Sequence, residues 1–121
     1  HIDLELELSD IDDDLMNAIE EFSPFGPQNM RPLFLTRNCE VVGQPYAVGN
    51  NHLKMKVRKG DNVMDVIGFG FGEMARTISG RGSLVDVVYV LEYNAYNDVT
   101  RKQLRLKDLK LTVGSIPAGA R

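Results

Sequence analysis

The chain has 121 residues and a formal net charge of −3, with 43% hydrophobic and 26% charged residues, a composition that fits one globular domain and excludes a disordered chain. One cysteine (Cys39) and two histidines (His1, His52) exclude an internal disulfide, a cysteine-based zinc cluster and a histidine-rich metal centre. No apolar run approaches the roughly 20 residues that span a bilayer, and no signal-peptide pattern is read.

The net charge hides an asymmetry. Residues 1–21 hold nine acids and no Lys or Arg, so the remaining 100 residues carry eight acids against all 14 bases. Such a split is a cue for nucleic-acid or membrane contact by the basic part, against the blander reading of a solvated surface. The sequence opens at His1 rather than Met and reads as a fragment or a processed product.

In chain order, residues 3–8 (DLELEL) alternate as a short half-buried strand. Ser9 or Asp10 is expected to cap a helix whose apolar stripe is Ile11, Leu15, Ile19 and Phe22. Asp12, Asp13 and Asp14 then sit at the positive end of that helix, a more economical reading than a metal site. Residues 23–32 (SPFGPQNMRP) carry three prolines and a glycine and form a rigid loop pinned by Phe22, Phe25 and Phe34. Strands are predicted over 33–42, 52–58 and 63–69, the last two joined at Lys59-Gly60-Asp61-Asn62. A short helix over 71–79 ends near Gly80 and Gly82, and strands over 84–93 and 101–111 follow. The division is 1–32 as connecting strand, helix and loop, 33–113 as one domain, and 114–121 as a mobile tail. Five strands with a helix between the third and fourth predict a mainly-β, Greek-key barrel of the OB type, with an open α+β sheet as the alternative.

The segment 52–58 carries the most information. His52, Lys54, Lys56 and Arg58 project to one face, and Leu53, Met55 and Val57 to the other. Arg101, Gln103, Arg105 and Lys107 repeat the pattern on the last strand. The loops expected at 43–51 and 94–100 supply Tyr46, Asn50, Asn51, Asn94, Tyr96 and Asn97. Cations for phosphates and aromatic faces for bases are what single-stranded nucleic acid requires, and OB barrels bind oligonucleotides on this surface and these loops. The competing reading is that the cations only keep an exposed sheet soluble. Gly70, Gly72 and Ala75 give G-x-G-x-x-A, but a hairpin strand with a charged partner contradicts a dinucleotide site. The scattered carboxylates Asp65, Asp86, Glu92 and Asp108 lack metal-site spacing, and no nucleophile–histidine set is credible.

Several segments resemble, in order, the C-terminal region of the single-stranded-DNA-specific exonuclease family RecJ. FSPFGPQNMRPLF (22–34) is similar to that family's PFGxGNPxPxF segment, departing from it at Gln28 and Met30. NHLKMKV (51–57), VIGFGFG (66–72), VDVVYVLEYNAY (85–96) and QLRLKDL (103–109) resemble its later segments. The resemblance implies an OB module of a larger 5′–3′ exonuclease of DNA repair and recombination, a cytoplasmic protein. Its DHH phosphoesterase core uses manganese or magnesium and is followed by a DHHA1 domain, both N-terminal to this segment. No Asp-His-His occurs here, so no catalytic residue, metal ligand or cofactor maps onto the chain, and it is not expected to cut DNA alone. The expected nucleic-acid-binding residues are Arg37, Tyr46, Asn51, His52, Lys54, Lys56, Arg58, Tyr96, Arg101, Gln103 and Arg105. Phe25, Gly26, Pro27 and Asn29 are expected to dock on the missing domains. The expected partners are single-stranded DNA and those DHH and DHHA1 domains, with no membrane. The acidic leading segment is expected to pack on, or connect to, those domains. A structural module that shapes the catalytic core with little DNA affinity stands as the alternative, as does an OB domain unrelated to nucleases that binds protein or sugar.

Overall fold

Alternating strands and turn-forming residues set the architecture from residue 34 onward. The structure, a computed structural model, describes residues 1–78 and 82–113; the predicted helix end near Ser79–Gly80 and the tail 114–121 lie outside them. The elements run β1 (Leu4–Glu5), a 3₁₀ turn (Leu8–Asp10), α1 (Asp13–Glu20), β2 (Phe34–Val48), β3 (His52–Lys59), β4 (Asn62–Phe69), α2 (Met74–Thr77), β5 (Leu84–Tyr96) and β6 (Val99–Val113). Strands β2 to β6 are ordered β2-β3-β4-β6-β5, and β5 pairs back onto β2. The sheet is therefore a closed five-stranded barrel with a short helix between its third and fourth strands, the predicted OB architecture rather than an open α+β sheet. Within the barrel only β4 and β6 run parallel.

One strand can close the barrel because β2 bends. Its register against β3 shifts between Val42 and Tyr46, where Gly43 takes φ +71°, a conformation that L side chains resist. Residues 34–40 pair with β5 and 40–48 with β3. The β5–β6 hairpin turns on Asn97 and Asp98, both left-handed (φ 52° and 62°), so its strands run out to Tyr96 and Val99. Both predicted loops flanking the barrel are thus mostly strand, forming two long arms.

Alternation drives the core. Val41, Leu53, Val57, Val85, Val87 and Leu104 are fully buried inside the barrel, each contributing about 1.5–3 kcal/mol relative to exposure. Thr36 and Tyr89 share a buried 2.8 Å hydroxyl–hydroxyl hydrogen bond there. Leu6, Leu8, Ile11, Met16 and Ile19 of the leading segment join the same core. The helix start differs from the expected one. Asp12 is the cap, its Oδ1 accepting from the Leu15 N–H at 2.9 Å, while Asp10 instead accepts from Glu7 N–H in the 3₁₀ turn. The shift brings Met16 inward and leaves Phe22 62% exposed.

Loop 23–32 is pinned, as its prolines predict. Gly26 and Asn29 exchange two 3.0 Å backbone hydrogen bonds, and Asn29 Nδ2 donates to the Phe22 and Pro24 carbonyls. The Arg31 guanidinium lies 4.4 Å from the Phe25 ring centroid, and its Nη1 donates to Leu91 O at 3.1 Å.

Candidate nucleic-acid interface

The strand register lays out the outer face of the barrel. On β3, Leu53, Met55 and Val57 enter the core while His52, Lys54, Lys56 and Arg58 point outward. Tyr46 lies opposite Lys54, and Asp65 opposite Lys56. The β5–β6 arm projects beside this row, with Asn94 paired to Arg101 and Tyr96 to Val99. Between the β2–β3 arm and the β5–β6 arm runs a groove of about 1080 Å³. It gathers five of the predicted binding residues: Tyr46, Lys54, Lys56, Tyr96 and Arg101. Tyr46 is 54% and Tyr96 73% exposed, so both side chains are open to solvent. Gln44, Asn94 and Asn97 add amides, and Val42, Val48, Met55 and Val99 an apolar lining.

Electrostatically the groove holds three cations and one carboxylate. Asp65 Oδ1 lies 2.5 Å from Lys56 Nζ, and its Oδ2 lies 3.9 Å from Arg101 Nη1. Among the described residues Lys54 has no carboxylate within ion-pair distance. Sequence reading passed over Asp65 as one of four scattered carboxylates; only the register places it between the two cations.

The other predicted residues are placed elsewhere. Arg37 pairs with Glu5 at 3.3 Å and Asp86 at 3.9 Å, and Arg58 with Glu40 at 2.7 Å. Gln103 is 6% exposed, and its amide donates to Glu92 Oε2 at 2.8 Å, so it is turned into the ladder and not offered at the surface. Asn51 braces the β2–β3 turn: its Nδ2 donates to Gly70 O at 3.3 Å, and its carbonyl accepts from the Gly72 N–H at 3.2 Å. A Cβ at Gly72 would sit 2.9 Å from the Asn51 carbonyl carbon, so this glycine serves a close backbone approach rather than a phosphate. His52 and Arg105 flank Phe69 at one end of the outer face. Of the expected docking residues, Phe25 packs against the core, and Gly26 and Asn29 stabilise their own loop; the exposed apolar side chains nearby are Phe22 and Met30.

On the opposite side of the β5–β6 arm, Lys102 Nζ lies 2.9 Å from Asp13 Oδ1. Their hydrogen bond holds the Asp13 carboxyl below its ordinary value and raises Lys102. Inside the barrel, burial pushes the Cys39 thiol up to about 11 and the Tyr89 phenol up to about 12. Neither group reaches the groove. Among the described residues no three His, Cys, Asp or Glu side chains are grouped to hold a metal, and no helix is long and apolar enough to cross a membrane. The manganese or magnesium implied by the family resemblance therefore has no fitting donor set among them.

Comparison with known proteins agrees with this architecture. The family described as the RecJ OB domain matches residues 2–108. The single-stranded-DNA-specific exonuclease RecJ of Bacillus subtilis (strain 168) is 31% identical over 109 residues, covering 88% of this chain. The chain spans only 14% of that protein's length. Among solved structures, RecJ from Thermus thermophilus in complex with Mn²⁺ superposes with a TM-score of 0.66 at 18% identity, over 93% of this chain and 16% of that one. The second single-stranded-DNA-binding protein (SSBb) of Mycobacterium smegmatis gives a TM-score of 0.53 at 21% identity, over 65% of this chain and 84% of that one. Both share its fold.

Proposed function

This chain belongs to the RecJ OB domain family, and we propose that it is the single-stranded-DNA-binding module of a RecJ-type 5′–3′ exonuclease acting in DNA repair and recombination. The observation that carries the proposal is the convergence of Lys54, Lys56 and Arg101 with Tyr46 and Tyr96 in one groove. Phosphates meet the cations, bases lie on the exposed tyrosine faces, and the amides of Gln44, Asn94 and Asn97 contact sugar or base edges without fixing a sequence. A duplex keeps its bases stacked and has no use for those rings. The phosphodiester chemistry, with its manganese or magnesium, belongs to DHH and DHHA1 domains outside these residues, and the whole protein works in the cytoplasm. The groove holds the strand that those domains cut.

Fluorescence anisotropy with a labelled oligo-dT tests this. Binding should weaken as salt rises, because each phosphate contact releases counterions. The double reversal Lys54→Glu, Lys56→Glu should abolish it. Binding that ignores salt, or that survives the reversal, defeats the reading.

A second role is favoured by one observation. Phe22 and Met30 (74% exposed) leave apolar surface beside the pinned loop, suited to contact with the catalytic domains of the same polypeptide. Phe22→Ala with Met30→Ala should then loosen the full-length enzyme while leaving oligo-dT affinity of this module unchanged.

A further inference from the structure

Beyond the groove, the outer face carries a further exposed aromatic side chain. Phe69 ends β4, is 51% exposed, and lies directly across from His52. The two rings meet edge to face, 5.0 Å apart at 85°. The Gly70 N–H donates to His52 Nδ1 at 3.4 Å, which orients the imidazole. The Arg105 guanidinium carbon lies 5.9 Å from the same Phe69 centroid. Arg105 is itself held, since its Nε lies 3.5 Å from Glu92 Oε1, and Glu92 is fixed by the Gln103 amide. Among the described residues the terminal nitrogens of Arg105 have no acceptor.

We infer that Phe69, flanked by His52 and Arg105, is a nucleobase-stacking subsite that extends the groove along β3. The inference rests on the DNA-binding reading above and deepens it. Three observations converge. An exposed phenylalanine is hydrated at a cost, yet this one contacts His52 and Arg105 and still leaves half of its surface open. His52 follows Lys54 on the outward face of β3, so a strand lying on Lys56 and Lys54 next meets His52 and Phe69. Arg105, beside the ring, offers free N–H donors to the phosphate of the stacked nucleotide. The ligand class is an unstacked base of a single strand, read by its π-face and not by its edges.

The chain contains no tryptophan, so Phe69→Trp introduces a single indole whose emission reports on this position alone. Saturation with oligo-dT should quench that emission severalfold, and a blunt duplex of the same length should leave it unchanged. Stacking is worth about 1–3 kcal/mol per base, so Phe69→Ala should weaken oligo-dT binding by roughly 5- to 150-fold. Phe69→Leu, which keeps apolar bulk without a π-face, should lose nearly as much. Salt-dependent binding with a silent indole, or full affinity in Phe69→Leu, overturns the subsite alone. Failure of the unsubstituted chain to bind oligo-dT removes the groove and the subsite together.

Discussion

Asp65→Asn is the substitution that most directly probes how the groove manages charge. In the native chain one carboxylate serves Lys56 at 2.5 Å and Arg101 at 3.9 Å, and among the described residues it is the only acid lining the groove. An entering phosphate must share those cations with it. For single strands each neutralised phosphate contributes roughly −0.7 to the slope of log K against log salt. Three cations less one built-in counterion give a slope of about −1.4, and the asparagine variant should move to about −2.1 on the same rule. The affinity gain at low salt is bounded by the worth of a partly exposed pair, up to about 1 kcal/mol or roughly fivefold after solvent screening. The slope difference shrinks that advantage by roughly 2.5-fold between 50 and 200 mM salt. Anisotropy titrations with labelled oligo-dT across that range read both quantities. An unchanged slope, or weaker binding in the variant, would show that Asp65 positions Lys56 and Arg101 for the strand instead of competing with it.

Other expectations follow from the same geometry. Tyr96→Ala and Tyr46→Ala should each weaken oligo-dT binding by about 1–3 kcal/mol while leaving the melting temperature nearly unchanged, since both rings stand in solvent. Thr36→Val removes the buried partner of the Tyr89 hydroxyl and should cost about 1–3 kcal/mol in a urea titration, with DNA affinity intact in the folded protein. Alkali should destabilise the barrel through Cys39: its folded pKa, about 11, lies above the ordinary 9.0, so the unfolded chain ionises first. Stability is full below pH 9, falls as pH rises to about 11, and the loss approaches roughly 3 kcal/mol. Cys39→Ala should remove that limb and leave the Tyr89 limb between 10 and about 12, which urea midpoints measured against pH will separate.

Much of this was legible because the relevant signals have a period of two. The alternation over 52–58 fixes both the core face and the cationic face of β3, and the structure reproduces it residue by residue. The arms were not legible. Gly43, Pro45 and the Asn-rich ends read as loop, yet Gly43 serves a bulge, and Asn97 with Asp98 tolerates the positive φ of a two-residue turn, so pairing continues through them. Gln103 was misplaced for a different reason. It sits on the outward parity of β6, but Glu92 across the ladder captures its amide, and cross-strand capture depends on register that one strand cannot reveal. Phe69 was hidden in an apolar run, VMDVIGF, where nothing separates the outward ring from its inward neighbours until β4 is paired with β3.

The acidic leader shows how long-range placement turns composition into function. In the sequence, residues 1–21 look like an uncompensated anionic segment. In the fold, Glu5 meets Arg37, Glu7 meets Lys59 at 2.9 Å, Asp13 meets Lys102 and Glu20 meets Arg31 at 3.5 Å. The leader therefore neutralises cations on the flanks of the barrel that it helps to seal. Arg76, Lys107 and Lys110 remain without carboxylate partners among the described residues, but none of them lines the groove. Among the described residues the groove's lining sets Lys54, Lys56 and Arg101 against Asp65 alone, which leaves an excess of positive charge between the two arms, where the exposed tyrosines stand. A cleft walled by protein focuses such a field and raises the local concentration of an anionic chain. Each flank cation left unpaired would offer phosphates a shallow alternative. On this view the leader's acids withdraw Arg31, Arg37, Lys59 and Lys102 from competition with the groove.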